Sequence, residues 1–294
     1  MTGRVHHADN LDVLRTLADG SVDLIYVDPP FNTGKTQRHT RIRTVRDEEG
    51  DRVGFAGNRY RTLTVGAREF HDTYDDYLGF LEPRLREAHR VLSRRGTLYV
   101  HLDCREVHYV KVLLDSVFGR ERFLNEVIWA YDYGARTKRR WPPKHDNLLV
   151  YVKDPDDYVF NHDAIDRIPY MAPGLVGPEK AARGKTPTDT WWITIVPTNG
   201  KERTGYPTQK PMALLRRVVL ASSNPGDLVL DFFAGSGTTG AACLELGRRF
   251  LLVDDSPQAI EVMRRRFATA DGVEWFRESA PQSHIPLAGP VRNR

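Results

Sequence analysis

At 294 residues and 33.6 kDa the chain has room for one large or two modest domains, and 40% apolar with 28% charged residues exclude fibrous, coiled-coil and wholly disordered polymers. Lysine plus arginine at 43 against aspartate plus glutamate at 39 leave a net charge of +4, which suits a polyanionic partner; the two cysteines, Cys104 and Cys243, lie too far apart for a zinc ribbon or a disulfide framework. The first 19 residues carry charges and histidines where a signal core would be apolar, and no segment approaches about 18 uninterrupted apolar residues, so a cytoplasmic protein is expected.

In chain order, residues 11–17 read as a helix and 22–27 as an apolar strand that runs straight into Asp28-Pro29-Pro30-Phe31. Two prolines fix φ and remove backbone donors. The turn therefore presents the Asp28 carboxylate and the Pro29 carbonyl as converging acceptors beside the Phe31 ring, a pocket suited to an amine on a flat ring. Gly34-Lys35-Thr36 imitates the end of a phosphate-binding loop, but Pro29 stands where that motif requires glycine, which argues against ATP. Residues 35–68 are irregular and arginine-rich, with Arg38, Arg41 and Arg43 among them, and are expected as a mobile loop. A helix over 74–92, interrupted at Pro83, and a strand over 97–102 follow. His101, Asp103, Cys104 and His108 gather near the end of that strand; alternation puts His101 and Asp103 on one face, and no metal is expected there. Residues 133–206 mix proline, glycine, aromatic and basic side chains, including Arg136, Lys138, Arg139 and Arg140, with strand-like stretches at 148–152 and 191–196. That mixture suggests an inserted subdomain.

The C-terminal third is the most regular. A strand over 228–233, a glycine turn, a helix over 238–246, a strand over 250–253 ending in Asp254 and Asp255, and a helix from Pro257 to 267 form a β-α-β-α series. Such alternation implies a parallel sheet covered on both faces, with ligands at the C-terminal edge of its strands. After 267 there is only a strand candidate at 273–276 and a proline-rich tail, too little to finish a sheet, so the N-terminal strands must complete it in a circularly permuted order. Gly235, Gly237 and Gly240, with Asp254 at the next strand end, fit an adenosine-containing cofactor, either NAD or S-adenosylmethionine. Asp231, just before the turn, would repel a pyrophosphate and suits the ammonium group of S-adenosylmethionine.

Taken together, these motifs resemble the DNA amino-methyltransferases. The turn Asp28-Pro29-Pro30-Phe31 is similar to their catalytic motif, and Asp231-Phe232-Phe233-Ala234-Gly235-Ser236-Gly237-Thr238-Thr239-Gly240 looks like their cofactor motif; catalytic motif first and cofactor motif last is the order of the β class. Asp9-Asn10-Leu11, residues 97–109 and Pro207-Thr208-Gln209-Lys210-Pro211 match as well, so the resemblance covers nearly all of the chain up to 267 apart from the two irregular segments. Phe232 in place of a frequent proline, Phe31 in place of a commoner tyrosine, and Cys104 in place of an acid are departures.

The resemblance implies an α/β, Rossmann-like S-adenosylmethionine-dependent methyltransferase fold, circularly permuted, with an inserted target-recognition segment. The catalytic and cofactor-binding domain would take 1–132 and 207–276, target recognition 133–206, and a flexible tail 277–294. The implied activity is site-specific methyl transfer to the N6 amine of adenine in double-stranded DNA, with cytosine-N4 methylation or a catalytically silent DNA-binding homologue as alternatives. Position by position, Asp28, Pro29, Pro30 and Phe31 would carry catalysis and Asp9 would meet the cofactor's adenine. Asp231, Phe233, Gly235, Ser236, Gly237 and Thr238 would hold the methionine part, Asp254 the ribose, and Thr208 and Lys210 would complete the site, with Lys210 near the cofactor's carboxylate. Arg38, Arg41, Arg43, Arg136, Lys138, Arg139 and Arg140 are expected to contact DNA. Double-stranded DNA, a separate cognate restriction endonuclease and a second copy in a homodimer are the expected partners.

Overall fold

In chain order the elements are β1 (Gly3–His7), α1 (Asn10–Thr16), β2 (Val22–Val27), β3 (Lys35–Arg46), β4 (Arg52–Val53), β5 (Arg59–Asp72), α2 (Tyr77–Val91), β6 (Leu92–Leu102), α3 (Val107–Phe118), β7 (Phe123–Ala130), β8 (His145–Val152), α4 (Pro178–Arg183), β9 (Thr190–Trp192), α5 (Met212–Ser222), β10 (Leu228–Asp231), α6 (Thr238–Leu246), β11 (Arg249–Asp254), α7 (Pro257–Arg266) and β12 (Val273–Arg277). This computed structural model describes residues 2–32, 35–46, 52–53, 59–72, 74, 76–132 and 137–277, with the backbone alone over 35–72.

Nine strands form one sheet in the order β12-β1-β11-β10-β2-β6-β8-β7-β9. The permutation is visible at its centre, where late β10 pairs in parallel with early β2, Leu230 opposite Ile25. Because parallel neighbours end at one edge, the residue that closes β10, Asp231, and the turn after β2, beginning at Asp28, come out side by side. Helices cover both faces, as parallel strands require. Val13 and Leu14 of α1, Leu81 and Leu85 of α2 and Val110 and Leu114 of α3 fill one core. Leu214 and Val218 of α5, Ala242 and Cys243 of α6 and Ala259 and Met263 of α7 fill the other.

Local chemistry sets the helix ends at the functional edge. Asp9 caps α1 by accepting from the Leu11 N–H at 2.8 Å, and Ser256 caps α7, with Pro257 in the first turn. Gly237 opens α6 at φ +71, in the left-handed region, where an added Cβ would also lie 2.7 Å from Cγ of Met263. The turn can therefore close on α7 only with glycine at this position.

Three expectations are corrected. The described residues of 35–68 form strands rather than a loop: β3 and β5 pair antiparallel from Lys35 opposite Asp72 to Arg46 opposite Tyr60, with β4 beside β5. The β-branched Thr36, Thr40, Ile42, Thr44 and Val45 interleaved among the arginines favour this pairing. Residues 133–206 are not a separate subdomain throughout, since β8 lies between β6 and β7 in the main sheet and is buried from Asp146 to Val152. Its apolar run extends the sheet by antiparallel pairing with β6, so the material outside the sheet lies between β8 and β9 and in the connections around them. Pro83 does not interrupt α2, which runs unbroken from Tyr77 to Val91. Leu81, Leu85, Ala88 and Val91 keep it packed against the core at the cost of one backbone hydrogen bond. The tail expected from 277 onward lies outside the described residues except for Arg277, which ends β12. No helix among the described residues is long and apolar enough to cross a membrane.

Candidate active site

A cavity of about 540 Å³ opens at the C-terminal edge of the parallel strands. It brings together Asp28, Pro29, Pro30 and Phe31 after β2, Asp9 before α1, and Asp231 with Phe233, Gly235, Ser236 and Thr238 around the glycine turn. Asp254 at the end of β11 and Thr208 and Lys210 ahead of α5 complete it. Gly237 is the one cofactor candidate absent from this lining; it packs against Met263 and Phe267 instead.

At the diproline corner the two Asp28 oxygens differ. Oδ2 accepts from the Lys210 ammonium, whereas Oδ1 is buried and has no hydrogen-bond partner among the described residues. Nδ1 of His101 lies 3.9 Å from Oδ1, beyond hydrogen-bonding distance. His101, fully buried, is instead held by the Tyr26 hydroxyl at 2.8 Å and by Asp146 at 3.2 Å, and Asp146 also accepts from Tyr131 at 3.0 Å. These contacts account for His101 without a metal. Phe31, half-buried, has its ring centroid 5.9 Å from that of His101 and presents an aromatic surface beside the open acceptor.

The glycine turn is braced by its own carboxylates. Asp254 accepts from the Gly235 N–H at 2.7 Å and the Ser256 N–H at 2.9 Å, while Asp231 accepts from the Thr239 hydroxyl at 2.6 Å and the Phe233 N–H at 3.1 Å. Burial pushes Asp231 up to about 7 and Asp254 up to about 6, against the lowering effect of these same donors. Arg266 of α7 donates to the Ser236 carbonyl at 2.9 Å and the Thr238 hydroxyl at 2.8 Å, fixing the turn from behind.

Sequence reasoning missed several participants. Arg84 of α2 donates to Asn10 at 2.6 Å and to Asp9 at 3.2 Å, and Asn10 donates to the Phe232 carbonyl at 2.7 Å, tying α2 and α1 to the glycine turn. Phe80, Tyr206 and Asp255 also line the cavity. A buried arginine on the apolar face of α2 was the available signal for Arg84; Tyr206 and Phe80 carry none, since only the tertiary fold brings them here. Lys210 was expected beside a cofactor carboxylate, and its ammonium is on Asp28.

This lining fits S-adenosylmethionine. Aromatic rings offer surface for adenine, half-buried carboxylates offer acceptors for ribose hydroxyls, and a predominantly acidic wall favours a ligand that carries sulfonium and ammonium charges.

The candidate DNA-contacting residues fall elsewhere. Lys138, Arg139 and Arg140 are exposed on the connection from β7 to β8, beside Trp141, which is 94% exposed. Since β8 runs antiparallel to β6, with Asn147 opposite Leu102, this connection sits at the cavity's edge of the sheet. Arg136 and the side chains of Arg38, Arg41 and Arg43 lie outside the described residues.

A model of the DNA methylase family matches residues 22–265. The chain is 32% identical over 292 residues to type II methyltransferase M.HpaI of Haemophilus parainfluenzae, an alignment that spans 99% of this chain and 82% of that one. It is 31% identical over 277 residues to DNA adenine methyltransferase YhdJ of Escherichia coli strain K12, spanning 90% and 82%. Among solved structures, the complex of M1.HpyAVI with S-adenosylmethionine is similar in fold, with a TM-score of 0.58 at 20% identity over 90% of this chain and 98% of that one.

Proposed function

The chain belongs to the DNA methylases of the adenine-N6 and cytosine-N4 class, S-adenosylmethionine-dependent enzymes, and from that premise we propose that it methylates the N6 amine of adenine at a specific site in double-stranded DNA. The observation that carries this reading is the orphaned Oδ1 of Asp28, buried in the same cavity as the glycine turn and next to the Phe31 ring. Such an acceptor is costly to bury unless a donor completes it. Asp28 favours adenine because the cytosine enzymes of this class more often carry serine there, and a relative named as an adenine methyltransferase supports the choice.

An exocyclic amine is a weak nucleophile because its lone pair is delocalised into the ring, and in a duplex it is also paired and stacked. Flipping the base out costs a few kcal/mol, and stacking on Phe31 returns about 1 to 3 kcal/mol. Asp28 and the Pro29 carbonyl would accept the two amine hydrogens, draw the nitrogen toward tetrahedral geometry and aim its lone pair along the donor axis. S-adenosylmethionine supplies an electrophilic methyl group on a sulfonium centre. Asp231, Asp254 and the turn from Phe233 to Thr238 would hold that donor, and Asp28 would take the amine proton once the new bond has formed. The rate gain is then positional and electrostatic, with no covalent enzyme intermediate.

Lys138, Arg139, Arg140 and Trp141 would meet the duplex beside the cavity, and the region between β8 and β9 would read the target. The deciding experiment transfers labelled methyl groups from S-adenosylmethionine into DNA and identifies the modified nucleoside. N6-methyladenine is the expected product; N4-methylcytosine would replace the adenine assignment, and no transfer into any DNA would overturn the activity.

A further inference from the structure

The charged lining of the cavity is one-sided. Among the described residues, Asp9, Asp28, Asp231, Asp254 and Asp255 face two cations, Arg84 and Lys210. Arg84 is committed, since it donates to Asp9, Asn10 and the Phe80 carbonyl and lies 3.9 Å over the Phe80 ring. Lys210 is held differently at its two ends. Its carbonyl accepts from the Thr238 hydroxyl at 3.2 Å, at the first residue of α6, so its backbone is tied to the glycine turn. Its ammonium crosses to the other motif, pairing with Oδ2 of Asp28 and standing 5.2 Å from the centroid of the Phe31 ring. The only other acceptor near it among the described residues is the Thr208 carbonyl at 3.5 Å.

The ammonium thus rests on the same carboxylate and the same ring that a flipped base would use. Among the described residues it is also the one cation in the lining not committed to a structural network, and S-adenosylmethionine brings a carboxylate into this acidic cavity. A carboxylate brought to this ammonium competes with Asp28 for its single positive charge. We propose that Lys210 is a positioning residue shared between the two subsites: it holds the Oδ2 side of Asp28 and the face of Phe31 until the carboxylate of the cofactor draws it away, and its departure frees that oxygen and that ring for the target base. Cofactor entry therefore promotes base entry, and by linkage the reverse. This rests on the reading above of the diproline corner as the amine site.

The test is calorimetry with S-adenosylmethionine and, as a control lacking the amino-acid part, 5′-methylthioadenosine, on the full chain without DNA. The proteins are wild type, Asp28→Asn, Lys210→Met, Lys210→Arg and the Asp28→Asn/Lys210→Met double variant. Removing a negative charge from an acidic cavity should by itself weaken a cationic ligand. Shared use of Lys210 reverses that sign: Asp28→Asn frees the ammonium and tightens S-adenosylmethionine by about fivefold or more, a typical coupling between sites. In the Lys210→Met background the same substitution should weaken it. Lys210→Met should lose about tenfold in affinity for S-adenosylmethionine and little for methylthioadenosine, and Lys210→Arg should restore part of the loss. Weakening by Asp28→Asn in both backgrounds, or equal effects on the two ligands, would overturn the proposal. Thermal melts of each variant identify any that fail to fold, and the wild-type and Lys210→Arg comparisons with Asp28→Asn stand without Lys210→Met. Because no DNA is present, failure of methyl transfer and failure of this coupling are read separately.

Discussion

Acidification from pH 7 to pH 6 should weaken S-adenosylmethionine about fivefold through Asp231 alone. Burial lifts this carboxyl group to about 7, so it is about half ionised at pH 7 and about one-tenth ionised at pH 6. If the ionised form is what holds the cationic cofactor, affinity follows that fraction, and a further step to pH 5 costs about another factor of ten. Asp254, lifted to about 6, steepens the loss below that value. The ligand contributes little to the change, because the sulfonium charge is permanent and an α-amino group titrating near 8 stays protonated throughout. Folding stability moves oppositely. Both carboxyl groups titrate above the ordinary value of about 4 in the folded chain, so their contribution to stability is fully present below about pH 4 and is lost as the pH rises through 6 to 7. Calorimetric titration of S-adenosylmethionine at pH 7, 6 and 5, for wild type and Asp231→Asn, reads the binding limb; thermal melts without cofactor read the other. Binding by wild type that does not change over this range would refute the role of Asp231, as would an Asp231→Asn variant that keeps the full dependence.

Asp28→Ala should lower methyl transfer at least about a thousandfold, the scale of a lost preorganised acceptor, while S-adenosylmethionine still binds; single-turnover transfer and calorimetry check the two halves. DNA affinity should fall steeply with salt, and replacing Lys138, Arg139 and Arg140 together by alanine should shrink the slope of log affinity against log salt by about 0.9 for each phosphate that these side chains neutralise, as measured by fluorescence anisotropy. A slope unchanged in the triple variant would remove this connection from the interface. Gly237→Ala should destabilise the fold by about 1 to 3 kcal/mol in urea unfolding, since a left-handed residue acquires a Cβ that would lie 2.7 Å from Met263. Retention of full stability would mean that the turn relaxes away from α7.

The parts legible in the sequence are those fixed by local chemistry. Strand β2 and helix α6 have the bounds that their sequences imply, because apolar runs ending in a diproline or bounded by left-handed glycines leave little freedom. The closure of the sheet is legible too, from the shortage of strands after 267. What is not legible depends on partners remote in sequence. Strand β1 carries two histidines in five residues, and it is a strand because β11 and β12 flank it on both sides. The sequence of β8 is strand-like, but nothing local says that it joins β6, some fifty residues earlier, rather than a subdomain of its own. In the site, the motif residues on the cavity wall are marked by their own pattern, whereas Phe80 and Tyr206 arrive from a helix and a loop whose sequences look ordinary. The hold of Lys210 on Asp28, across 182 positions, is of the same kind.

Glycine spacing by itself leaves a dinucleotide as open as S-adenosylmethionine, and the structure shows what each glycine does. Gly237 and Gly240 do not face the cavity: a Cβ on the former would strike Met263, and one on the latter would lie 2.8 Å from Leu252. They let α6 close on α7 and β11, which either cofactor fold requires. Gly235 alone of the three lines the cavity, and its N–H, the group that a pyrophosphate would need, is already given to Asp254. A diphosphate entering here would have to displace a carboxylate from that donor and then lie among Asp231, Asp254 and Asp255, whose repulsion in a half-buried site is barely screened by salt. A ligand with two positive centres and one carboxylate meets the same wall with the opposite sign, and on the proposal above Lys210 would take its negative end. The selection of cofactor thus comes from the acids that surround the glycine turn, with the glycines serving the packing that brings those acids together.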